Sequence, residues 1–99
     1  MAGNRQKAIL QGSVVLECNM LHADVSVWLR NSKKITHDER HVQRLEHMFG
    51  KKVRMLYLEI VNVTKNDEGL YMCVGYRNGI MANKTIDLKT GLFDLIDIH

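Results

Sequence analysis

No stretch of this chain keeps apolar residues at helical spacing for three turns. They recur at every second position, in short runs broken by glycine and by Asn, Asp and Ser clusters, a pattern that favours many short strands with one face toward a core. Val14, Leu16 and Cys18 alternate after Gly12-Ser13, Val25–Arg30 forms a second β-rich run around Trp28, and Leu56, Leu58 and Ile60 alternate within 55–63. Asn31-Ser32 supplies turn chemistry before Lys33-Lys34-Ile35. The segment 37–47 is dense in charge, with Val42 and Leu45 as its clear apolar anchors, which suits short edge strands facing water. Phe49-Gly50-Lys51-Lys52 reads as a hairpin tip. Asn78-Gly79 is the strongest hairpin dipeptide, because both residues tolerate the positive φ of a type I′ turn. Tyr71, Cys73 and Gly75 share an inward face, and a last strand is expected over 85–88 with Ile86 and Leu88 inward.

Ninety-nine residues suffice for one two-layer core and no second folded unit. The expected domain covers 5–90. Thr90-Gly91 is expected to interrupt the last strand, leaving 91–99 as an apolar extension that covers the sandwich, packs on another copy or begins a neighbouring segment. With 45% apolar and 25% charged residues the composition is globular, and no apolar run approaches the roughly 20 residues of a membrane span. Direct membrane insertion of this segment is therefore not expected. The first seven residues lack the apolar stretch of a signal peptide, so the start reads as an excised segment or the beginning of a cytoplasmic chain. A net charge of +3 with interleaved acids gives no indication of nucleic acid.

Few residues point to chemistry. Cys18 and Cys73 permit one long-range bridge and have no zinc-site spacing. His37 and His41 are four apart, about 13 Å on a strand and too far to chelate one ion; with His22, His47 and His99 they read as solvated. Ser13, Ser26 and Ser32 lack a nucleophile elbow, and no cofactor is implied, so catalysis is not expected. Asn62-Val63-Thr64 and Asn83-Lys84-Thr85 both match the N-glycosylation acceptor pattern; Asn83 must then face outward on the last strand. Lys33, Lys34, Arg40, Arg44, Lys51, Lys52 and Arg54 all come from the middle of the chain. They read as a solvated edge, or as a secondary site for sulfated polysaccharide or an acidic protein surface built on Lys51, Lys52 and Arg54 and joined by Lys33, Lys34 and Arg44.

Taken in order, Cys18, Trp28, Leu58-Glu59-Ile60, Val63 and Asp67-Glu68-Gly69-Leu70-Tyr71-Met72-Cys73 resemble the immunoglobulin superfamily, its I-set in particular, over about residues 12–88. The resemblance implies an all-β, two-sheet antiparallel immunoglobulin-like sandwich with Greek-key connections. It implies that Cys18 and Cys73, 55 positions apart, bond across the sheets, that Trp28 packs on the bridge, and that Leu58 and Ile60 lie in the core. Tyr71 takes the tyrosine-corner position, its hydroxyl bonding back to the preceding backbone, while Asp67 and Gly69 shape that corner and Arg40 or Arg44 pairs with Asp67. Several departures stand out: there is no proline, Ser26 and Gly75 thin the core, and the leading strand is expected to be short or missing. By resemblance the function is that of a non-catalytic protein-binding module of a multidomain extracellular receptor or adhesion protein. The alternative is an intracellular spacer and docking domain of a muscle or cytoskeletal filament protein, in which the cysteines stay thiols.

Overall fold

The computed structural model describes residues 4–21, 25–47, 53–77 and 80–92. In chain order these form β1 (Asn4–Ile9), β2 (Val14–Leu21), β3 (Val25–Arg30), β4 (Lys33–Lys34), β5 (His41–His47), β6 (Val53–Ile60), a single 3-10 turn (Lys65–Asp67), β7 (Gly69–Arg77) and β8 (Ile80–Gly91). They build a five-stranded sheet in the order β1-β8-β7-β3-β4 and a three-stranded sheet in the order β2-β6-β5. Every pairing is antiparallel except that of β1 with β8, and the chain changes sheet between β1 and β2, β2 and β3, β4 and β5, and β6 and β7. The molecule is a two-layer β-sandwich.

Alternation explains which side chains meet between the layers. Leu16 and Cys18 of β2, Leu56, Leu58 and Ile60 of β6, Trp28 of β3, Tyr71 and Cys73 of β7, and Ile86 and Leu88 of β8 are all buried in one cluster. Burying each large apolar side chain stabilises the fold by about 1.5–3 kcal/mol relative to exposure. Cys18 and Cys73 are disulfide-bonded, with their α-carbons 6.5 Å apart, so the bond joins the two sheets beside Trp28, which pairs with Cys73 in register. The indole Nε1 of Trp28 is buried without a hydrogen-bond partner among the described residues, so Trp28 contributes through its volume.

Three expectations change. The leading strand is six residues long, and it runs parallel to β8 from Asn4↔Ile86 to Ile9↔Gly91. That pairing is also why Thr90-Gly91 does not interrupt the last strand. β8 spans twelve residues rather than four, and its end is held by the Leu10 N–H donating to the Gly91 carbonyl at 2.8 Å. Finally, His37 lies in the connection before β5 and not on a strand; its Nδ1 accepts the Gln43 N–H at 3.2 Å. The hairpin tip at 48–52, with Lys51 and Lys52, the Asn78-Gly79 dipeptide and the tail beyond Leu92 lie outside the described residues.

Candidate binding surface

One end of the sandwich is fastened by a set of hydrogen bonds around Asp67. The carboxylate is almost fully buried and accepts the Thr64 N–H at 2.8 Å and an Arg40 guanidinium N–H at 2.5 Å. Arg40 also donates to the carbonyls of Val61 and Asn62, so one side chain ties the connection after β6 to the 3-10 turn. The Tyr71 hydroxyl donates to the Asp67 carbonyl at 2.6 Å, and burial pushes its pKa up to about 12. Gly69 has φ +150°, and a Cβ there would come within 3.2 Å of the Asn31 side chain, whose Oδ1 accepts the Leu70 N–H while the Asn31 backbone N–H donates to the Leu70 carbonyl. Above this end Arg30 lies over the Tyr71 ring and donates to the carbonyls of Asn66 and Glu68. The Glu68 carboxylate accepts from both the hydroxyl and the N–H of Thr90, which holds its pKa below the usual carboxylate range. This end is a structural clasp whose polar groups largely bond to one another, the buried Arg30 Nε being an exception.

The outer face of the five-stranded sheet is different. Tyr71 and Cys73 point inward, so Leu70, Met72, Val74 and Tyr76 of β7 point outward, beside Val27 and Leu29 of β3. Leu70 and Tyr76 are each 46% exposed, and Met81, opposite Tyr76 on β8, is 53% exposed. Val74 faces outward too, yet its neighbours leave it only 4% exposed. The polar members of this face include Asn83, Thr85, Asp87 and Lys89 on β8, with Lys89 3.9 Å from the Asp87 carboxylate, and Lys34 of β4, which pairs with Leu29. An antiparallel sheet with one solvated face alternates apolar and polar residues, whereas β7 from Leu70 to Tyr76 is apolar on both sides.

Searches with the sequence find no matching family model and no matching curated protein. The three-dimensional fold is matched by a chain of the complex between Dpr2 Ig1–Ig2 and DIP-Theta Ig1–Ig3, with a TM-score of 0.80, 24% identity, and coverage of 88% of this chain and 30% of that one. The N-terminal eight Ig domains of Down Syndrome Cell Adhesion Molecule match with a TM-score of 0.78, 24% identity, and coverage of 91% and 14%. The I67–I69 fragment of titin matches with a TM-score of 0.74, 17% identity, and coverage of 88% and 29%. This is an immunoglobulin-like domain. It spans less than a third of each of these three chains.

Within the immunoglobulin-like domain, the basic residues of the middle segment fall in separate places. Lys33 pairs with Arg30 at the clasp end, whereas Arg54 pairs with His47 at the opposite end of the three-stranded sheet. Lys33 and Lys34 line an open cleft of about 360 Å3 with Arg30, Asn31, His41 and Tyr71. Arg44 belongs to the outer face of the three-stranded sheet, 5.2 Å from the centre of the Tyr57 ring, and Arg40 alone of the two arginines reaches Asp67. His41 hydrogen-bonds Asp38 through Nδ1 at 2.9 Å, which lowers the Asp38 pKa. Of the two asparagines that open an acceptor triplet, Asn62 is exposed at the clasp with φ 55°, and Asn83 is exposed on the outer face of the five-stranded sheet. The outer face as a unit was passed over in the sequence, although the unbroken apolar run Leu70–Tyr76 was its signal.

Proposed function

We propose that this immunoglobulin-like domain, of the I-set type, is a non-catalytic binding module of an extracellular adhesion or receptor protein. Its partner is another immunoglobulin-like domain, docked on the outer face of the five-stranded sheet. The observation that carries this reading is the apolar outer face itself, with Leu70, Tyr76 and Met81 half-exposed on a sheet whose inner face already fills the core. Aromatic and Met side chains are enriched where protein surfaces meet, and such a patch on one side of a sandwich is better matched to a partner than to water. The Cys18–Cys73 disulfide supports an oxidising compartment. The Dpr2–DIP-Theta complex, formed by two Ig-domain proteins, supports the choice of partner class. Sulfated polysaccharide is not part of this reading: Lys33 and Arg54 occupy opposite ends of the fold, and Lys51 and Lys52, the centre of that expected site, lie outside the described residues.

The test is a binding survey of the purified, oxidised and unglycosylated domain against immobilised immunoglobulin-like ectodomains, its own included. A partner should be found, and Tyr76→Asp or Met81→Asp should abolish the interaction while Glu59→Lys on the other sheet leaves it intact. Binding that survives Tyr76→Asp, or the absence of any immunoglobulin-like partner, overturns the proposal.

A further inference from the structure

The apolar outer face carries a sugar acceptor at its middle. Asn83 opens the triplet Asn83-Lys84-Thr85 and is exposed on β8, directly opposite Val74 of β7. Two positions along β8 on one side lies Met81, opposite Tyr76; two positions on the other lies Thr85, opposite Met72. Directly paired residues stand about 5 Å apart and diagonal neighbours about 7–8 Å, within the span of one or two pyranose rings. Lys84 points to the opposite side of the strand, where it lines the cleft between β1 and β2 with Arg5 and Glu17, so it leaves the outer face clear. At Asn83 β8 is paired by β7 alone, since β1 meets it only from Ile86 to Gly91, and the Asn83 side chain is already exposed.

We infer that Asn83 is an N-glycan acceptor whose first sugars lie over the patch formed by Tyr76, Met81 and Met72, so that a glycosylated chain does not dock through this face. In the transfer, the Asn83 amide nitrogen displaces a lipid-linked diphosphate from the anomeric carbon of its oligosaccharide donor. One C–N bond forms, the C–O bond to the diphosphate breaks, and the amide proton departs to the surrounding base. The sugar's C–H faces pack on the Tyr76 ring and the methionine side chains, while its hydroxyls face water. Occupancy of Asn83 therefore divides the protein into a shielded form and a docking form. Asn62 has no such consequence. It sits at the clasp, where its carbonyl accepts from Arg40, away from the outer face, and it serves as an internal control.

The inference rests on the extracellular reading, and the experiment separates the two. The domain is secreted from a glycosylating cell behind a signal sequence, and intact mass with peptide mapping gives the occupancy of each asparagine. Bis-ANS fluorescence then reports the exposed apolar face. Asn83 should carry sugar. N83Q and T85A should lose it and raise bis-ANS fluorescence severalfold at an unchanged melting temperature, whereas T85S, which keeps the triplet, and N62Q should match the parent. A secreted, oxidised domain with sugar on Asn62 and none on Asn83 overturns this inference alone, as does equal bis-ANS fluorescence with and without the Asn83 sugar. Failure to be secreted with the Cys18–Cys73 bond overturns the extracellular reading together with it.

Discussion

The two sheets turn different outer faces to their surroundings. The three-stranded sheet presents Glu17, Glu59, Arg44 and Glu46 among Val15, Val42, Met55 and Tyr57, whose ring lies beneath the Arg44 guanidinium, while the five-stranded sheet presents Leu70, Met72, Tyr76 and Met81 beside the polar row Asn83, Thr85, Asp87 and Lys89. Their inner faces contribute alike to one core. A sandwich requires only those inner faces to be apolar, so the exposed apolar side chains on one outer face are surplus to folding. On the proposed reading, stability and recognition lie on opposite sides of the same strand, β7.

The comparison breaks if the outer residues prove to hold the fold together. Trp28→Ala should give the largest loss, about 3–5 kcal/mol, by leaving a cavity beside the disulfide. Removing the Cys18–Cys73 bond should cost about 4 kcal/mol on the loop-entropy estimate. Denaturant melts of both variants check this, and an outer-face change of comparable size would erase the distinction.

Alkaline titration reads the inward side of β7 separately. An unfolded tyrosine ionises near pH 10, whereas burial holds the Tyr71 proton up to about 12. The raised folded-state value contributes stability that is full below pH 10 and disappears as the pH rises through 12. The melting temperature should fall steadily over that window, and Tyr71→Phe should flatten the fall. A parallel slope in both proteins would remove Tyr71 from the account.

The clasp should matter less than the core. Asp67→Ala deprives the Thr64 N–H and Arg40 of their shared acceptor and should destabilise the domain by about 1–3 kcal/mol. Hydrogen exchange should quicken at Thr64 and in the 3-10 turn before it does in β2 or β6.

The smallest effect sharpens the comparison most. Tyr76→Ser and Tyr57→Ser, one on each outer face, should both change stability by no more than about 0.5 kcal/mol. They should differ in dye binding. In the domain lacking sugar on Asn83, only Tyr76→Ser should lower bis-ANS fluorescence, and an equal drop in both would mean that the two faces are alike.

Much of this could be read from local pattern. Alternation placed Leu16, Leu58, Ile60 and Leu88 inward because the pleat sends every second side chain to the same side, whatever lies beyond it. The ordered set Cys18, Trp28, Tyr71 and Cys73 pointed to the sandwich, since each member has a mechanical part in that fold. The outer face was legible only in half: the run Leu70–Tyr76 shows that β7 is apolar on both sides, but Met81 and Asn83 join it through cross-strand register. Register and sheet order are long-range, set by which strands find each other when the core closes, and local spacing does not encode them. For that reason only the tertiary structure chose Arg40 over Arg44 as the partner of Asp67, since Arg44 falls on the outward phase of β5. The same cause extended the last strand to Gly91, through a parallel partner some eighty residues earlier in the chain. It also sent Lys33 and Arg54 to opposite ends of the domain, although they are near one another in sequence.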